Sequence, residues 1–273
     1  MDSAIKSHAA IRAGNVPGWG RPLLALVMIG LGIVGLYTGD FASVWQRIPI
    51  EHLPGRMYFA YAVAVIELAC GLGLLFTRTA QIASKIFLVF TLLWLILLKV
   101  PAVVAAPQIE GTWLGFGEIG VIVAGAWTLF AAFNAGRPER FFSGGRGIRA
   151  ARVLFAVALP MIGLSHFFYT DETVKFVPAW MPAPIFWAYL TGAGSIAACI
   201  AILTGILARL AATLEAAMLV VITMLVWMPG LNSAPIDRGL ITGFLISSAI
   251  ACGAWVVADS YRGTSWMSVR KQT

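Results

Sequence analysis

The chain has 273 residues, 60% apolar and 11% charged, with a mean hydropathy of +0.87. A water-soluble domain is nearer half apolar and a quarter charged, so that class is excluded, and the apolar runs are long enough to cross ~30 Å of hydrocarbon as helices. The net charge of +7 is scattered over short loops rather than gathered into one stripe, so a bilayer accounts for it better than a nucleic-acid partner.

The fold class is therefore all-α, a polytopic membrane protein. Residues 1–21, with Lys6, Arg12 and Arg21, form a polar N-terminal segment. The apolar run behind it lacks a small-residue cleavage site, so it reads as a retained first span rather than a cleaved signal peptide. The spans are expected at 22–38, 57–76, 82–100, 115–133, 152–168, 184–205, 208–228 and 239–258. An Arg-rich, Gly-rich linker at 136–151 separates two groups of four, 22–135 and 152–259, and a tail follows at 260–273.

With the N-terminus inside, 14 basic residues fall on the cytoplasmic side (Lys6, Arg12, Arg21, Arg78, Lys85, Arg137, Arg140, Arg146, Arg149, Arg152, Arg209, Arg262, Arg270, Lys271). Only 5 fall outside: Arg47, Arg56, Lys99, Lys175 and Arg238. This asymmetry places both termini in the cytoplasm.

A gap-free shift of 128 residues lays the first group on the second. Pro54 then meets Pro182, Tyr61 meets Tyr189, Pro101 and Pro107 meet Pro229 and Pro235, and Gly115–Phe116 meets Gly243–Phe244. Gly125, Ala126 and Trp127 meet Gly253, Ala254 and Trp255. The expectation is a four-helix unit used twice. An even number of spans inserts both copies the same way up, about an axis along the membrane normal.

The segment Ile66–Leu75, with Glu67, Gly71 and Gly73, followed by Arg78 and Ala80, resembles the second-helix signature of the DoxX/DoxD-like integral membrane proteins. The second copy keeps the small residues and the Thr204, Gly205, Ala208, Arg209 loop, but has Ser195 in place of Glu67. The resemblance implies a bacterial inner-membrane protein. It also implies a quinone-linked redox membrane subunit in sulfur or oxidative-stress metabolism, with an oxidoreductase partner subunit. Two other classes stay open: a transporter or binding protein for a small molecule or lipid, and a scaffold for a partner complex.

Ionisable groups within spans are costly and each needs a reason. Glu67, near the middle of span two, shares a stripe with Ala60, Ala64 and Gly71 and so faces another helix. It reads either as a proton-accepting or ligand-binding acid or as a structural hydrogen-bonding group. Lys99 and Glu118 flank a short outer loop and are expected to form a structural ion pair. Glu215 is expected to be structural, hydrated or near Arg209, so the mid-depth acid belongs to the first unit alone.

His166 ends span five at headgroup level, as an aromatic-belt anchor or as a ligand-binding or catalytic group beside Glu67. Around it, Trp180, Trp187 and Tyr189, together with Tyr61, are candidate ligand-binding residues, and the Pro-rich run 178–184 would stiffen a roof over them. Pro54, Pro101, Pro182 and Pro229 lie at or beyond outer span ends, which argues against spans broken at mid-depth.

No metal site is expected. Cys70, Cys199 and Cys252 form no CxxC pair. With only His8, His52 and His166 present, a haem held by two intramembrane histidines is not expected. No cofactor is expected to be covalently bound, so electrons would be carried by a diffusible quinone or a partner subunit.

Overall fold

The computed structural model describes residues 18–42, 54–135, 142–231 and 237–269. Lys6, Arg12, Arg47, Arg137, Arg140, Arg270 and Lys271, which enter the charge asymmetry, lie outside the described residues, as do His8, His52 and Pro235. Eight helices are long and apolar enough to span a bilayer: α1 Gly20–Thr38, α2 Arg56–Leu75, α3 Thr77–Ala105, α4 Glu110–Phe133, α5 Gly144–Phe168, α7 Pro184–Thr204, α8 Ala208–Leu231 and α9 Arg238–Asp259. A short helix α6, Thr170–Phe176, follows α5. The chain is an all-helical, multi-pass membrane protein.

The helix ends follow local chemistry. Gly39 ends α1 with φ 64°, a left-handed conformation that glycine adopts without a Cβ clash, and its N–H donates to Gly35 O. Asp237 caps α9 by accepting from Leu240 N. Within α3, Pro101 has no N–H and its ring would crowd the carbonyl four residues back. The helix widens into a π turn at Leu95–Lys99, where Val100 N–H donates to Leu95 O.

Two expectations are corrected. Helix α5 begins at Gly144, not at 152, so Arg146 and Arg149 are helical; Arg152 donates to Ser260 Oγ at 2.9 Å and stacks on Tyr261, 3.7 Å from the ring centre. Prolines also lie inside helices: Pro160 is in the body of α5 and Pro229 within α8. Both helices continue through them, so neither span is broken there.

Helices α4 and α9 form the centre. α4 packs on α3, α5 and α9, and α9 packs on α1, α4 and α8. They cross where a Cβ added to Gly125 would sit 2.7 Å from Gly253 Cα, closer than any side chain allows. α1 packs on α2 across Gly35 and Ala64, and α5 on α7 across Gly163 and Gly192, contacts that stand 128 residues apart. Such close crossings by small residues bring helices together where lipid removes the hydrophobic drive. The outward face of α3 carries Ile82, Ile86, Val89 and Leu93 at helical spacing, all exposed, which suits contact with lipid tails.

The bundle has two distinct ends. At one, Asp259 accepts from Gly20 N and Arg262 Nε, at 2.9 and 2.8 Å, and Arg209 donates to Thr264 O at 2.7 Å. This basic end carries Arg21, Arg78, Arg146, Arg149 and Arg209. The opposite, aromatic end carries Tyr58, Trp113, Phe168, Trp180 and Phe186.

Candidate functional site

A cavity of about 740 Å³ opens in the second half of the molecule, toward the aromatic end. Its walls come from α4, α5, α7, α8 and α9, and its roof from α6 with Pro178 and Met181. Apolar residues of α8, among them Met218, Leu219 and Ile222, form most of one side. The polar groups are few: Glu118 on α4, Ser165 and His166 on α5, Thr191 on α7, Thr223 on α8 and Ser247 on α9. A mostly apolar concavity of this volume with a few polar groups is the usual form of a small-molecule site.

His166 is held at the α5–α7 crossing, where its Cβ lies 3.0 Å from the position a Cβ would take on Gly192. Its Nδ1 is 3.2 Å from Ala188 O and 2.9 Å from Thr191 Oγ1. A carbonyl can only accept, and the Thr191 hydroxyl is already placed to donate to Trp187 O at 2.9 Å. All three contacts are satisfied together when Nδ1 carries the proton, a tautomer assigned from this network. Nε2 then presents a lone pair to the cavity.

Glu118 was expected only as the partner of Lys99. The two charges interact, and Lys99 Nζ lies over Gly115, 3.3 Å from where a Cβ would be, one turn from Glu118. Glu118 additionally lines the cavity, a placement that spacing alone does not reveal because it depends on helices α5 to α9. Trp187 lines the cavity and donates through Nε1 to Pro182 O at 2.9 Å, fixing its ring against the roof. Trp180, Tyr189 and Tyr61 do not line it. Trp180 is exposed, Tyr189 stacks on Phe167 with ring centres 5.3 Å apart, and Tyr61 turns its hydroxyl to Gly39 in the first half.

Glu67 is buried, as its small-residue stripe predicts, but it is not joined to His166. It lines a separate void of about 10 Å³ with Asp40, Phe41 and Thr242, room for about one water. Above that void Asp40 accepts from Arg238 at 2.8 Å and pairs with Arg56, while Arg238 also donates to Phe41 O. Burial pushes the Asp40 carboxyl up, but hydrogen bonds from Arg238 and the Phe41 N–H, with the charges of Arg238 and Arg56, outweigh it and hold the group below its ordinary value.

The second half does not lack a mid-depth acid. Glu215 is 2% exposed and accepts from Ser195 Oγ at 2.9 Å, one turn below Met218 and Leu219 on the cavity side of α8. Arg209, expected near it, is engaged by Thr264 O and by Trp266. Ser195 stands where Glu67 does in the 128-residue shift, and Glu215 stands where Phe87 does. The swap of acid between neighbouring helices is a signal the sequence contains, visible only when both positions are read together.

Fold and cavity together define a polytopic helical membrane protein with an amphipathic-ligand pocket near one bilayer surface. The DoxX family model matches residues 147–228, a stretch that runs from α5 into α8 and includes His166, Thr191, Ser195 and Glu215. The matched stretch lies in the half opposite to Ile66–Leu75, so the chain is supported as a DoxX-family membrane protein from both halves. No curated protein and no solved structure matches the chain.

Proposed function

We propose that the chain binds an amphipathic ring compound, a quinone, in the cavity beside His166 and Glu118, and acts as the membrane subunit of a quinone-linked redox system with an oxidoreductase partner. The observation that carries this reading is the cavity of about 740 Å³, apolar over most of its wall and polar at a few convergent groups. It has room for a substituted ring and the start of an isoprenoid tail. A bound quinone would supply the electron chemistry; the chain's own part is to admit the tail from lipid, seat the ring against Trp187 and hold hydrogen-bond acceptors at its hydroxyl positions.

The same reading sets the protein in a bacterial inner membrane with both termini cytoplasmic and the aromatic end outward, supported by the 14 to 5 basic asymmetry. Reporter fusions after Thr170 and after Gly144 are expected to report outside and inside; the reverse overturns the orientation. The tandem arrangement is part of the proposal too. Its support is the pairing of contacts at a 128-residue offset: Gly125 with Gly253, Gly35–Ala64 with Gly163–Gly192, and Lys99 over Gly115 with Trp227 over Gly243.

The test is purification with native lipid retained, followed by solvent extraction and chromatography of what the protein carries. Quinone in near-stoichiometric amount, reduced by His166→Leu, supports the reading. Phospholipid alone, with no quinone, replaces it by the lipid-binding alternative.

A further inference from the structure

We propose that the polar corner of the cavity selects its ligand by the hydrogens the ligand offers, binding a headgroup with a donating hydroxyl, such as a hydroquinone, in preference to the oxidised form of the same ring. This rests on the cavity being the ligand site proposed above.

The argument is an inventory of donors and acceptors. Of the side-chain donors around the cavity, Ser165, Thr173, Thr191 and Thr223 spend their hydroxyls on carbonyls of their own helices, and Trp187 spends its N–H on Pro182 O. The two strongest groups left are acceptors. His166 presents the Nε2 lone pair, because Nδ1 carries the proton toward Ala188 O and Thr191 Oγ1. Glu118, beside the positive charge of Lys99, is an ionised carboxylate with about four lone-pair sites, more than one partner exhausts. The Ser247 and Tyr169 hydroxyls, each able to turn either way, complete the polar set.

A hydroquinone brings two O–H donors to such a corner. The oxidised ring brings only carbonyl oxygens, which face lone pairs on His166 and Glu118 and leave these acceptors without a partner in a water-poor site. An unmade hydrogen bond there is the costly case, and one such difference is worth roughly tenfold in affinity. For a two-electron couple, a tenfold preference for the reduced form raises the midpoint potential of the bound ring by roughly 30 mV.

The test uses the full chain in lipid nanodiscs under anaerobic conditions, with decylhydroquinone and decylquinone as probes. Affinities are measured for each form, and the midpoint of the bound couple is compared with that in empty nanodiscs. The expected result is roughly tenfold tighter binding of the reduced probe and a raised midpoint. His166→Leu, which removes the acceptor, and Glu118→Gln, which adds a donor, should each bring the ratio toward one. If both forms bind equally, or the oxidised form binds more tightly, the selection proposed here is wrong while the cavity remains the ligand site. If neither form binds, the quinone reading itself fails. The wild-type ratio decides the matter even where a variant does not fold.

Discussion

The void beside Glu67 and the cavity beside His166 lie at helix pairs that cross in the same way, through Gly35 and Ala64 in one and Gly163 and Gly192 in the other. One holds about 10 Å³ and the other about 740 Å³. Two differences account for the contrast. In the first half the aromatic end is closed by a charge clamp, Asp40 with Arg56 and Arg238, which draws Phe41 and Ala42 down onto the helices. The position 128 residues after Asp40 is Phe168, which is exposed and clamps nothing. Lower down, the first half fills its α2–α3 contact with the fully buried Phe87, where the second half has Glu215 and the hydrogen bond from Ser195. Small changes at the rim and in one layer of side chains convert a packed crossing into a binding site.

Breaking the clamp is expected to have the largest effect. Asp40→Ala leaves Arg56 and Arg238 partly buried without their carboxylate and should cost about 3 kcal/mol, read as a lowered Tm in detergent. The pH dependence has a definite sign. A carboxyl held below its ordinary value contributes stability that is present in full above the unfolded-chain value of about 3.9 and is lost as pH falls through the lower folded value. The wild-type Tm should therefore fall on an acid limb below about pH 4, and that limb should be shallower in Asp40→Asn.

Next in size is the central crossing. A Cβ on Gly125 would stand 2.7 Å from backbone of α9, whereas one on Gly253 would meet its nearest atom, Val121 O, at 3.2 Å. Gly125→Ala should cost about 2 kcal/mol and Gly253→Ala visibly less. Equal tolerance would show that the two helices move apart freely and that the crossing is not a fixed frame.

Ser195→Ala removes the one hydrogen-bond donor to the buried Glu215 and should cost about 1 to 2 kcal/mol. Replacing both, Ser195→Ala with Glu215→Leu, should recover most of it, because the second half then resembles the apolar packing around Phe87. A double variant no more stable than Ser195→Ala would mean that Glu215 is held by more than Ser195. The smallest effect belongs to the outer pair: Lys99→Met with Glu118→Gln, in a double-mutant cycle, should give a coupling of about 1 kcal/mol. Zero coupling removes the pair from the fold and leaves Glu118 to the cavity.

The spans were legible because hydropathy reports the bilayer directly, and each of the eight helices lies within a few residues of its expected position except the start of α5. That start was hidden because Arg146, Arg149 and Arg152 are good helix formers with no apolar signature. The short helix α6 was hidden too, since Thr170–Phe176 reads as a polar loop. In the site, His166 and Trp187 were found by their setting at the end of a span. Trp180, Tyr189 and Tyr61 share the same composition but point elsewhere, and one sequence does not set the rotation of a helix about its axis. The link between Ser195 and Glu215 depends on the register of two neighbouring helices, which no single-helix pattern encodes.

The hydrogen bond from Gly20 N to Asp259, 2.9 Å long, joins the first spanning helix to the last, and α1 lies along α9 much as α5 lies along α4. In terms of connectivity the eight helices therefore form a closed cycle that the chain happens to enter at one point. A circular permutant that enters at α5, runs through a new linker from α9 to α1 and leaves after α4 would keep every helix pair, and each helix would still cross the membrane in its original direction. The bundle is defined by who neighbours whom, and the order of synthesis is a separate choice laid over it.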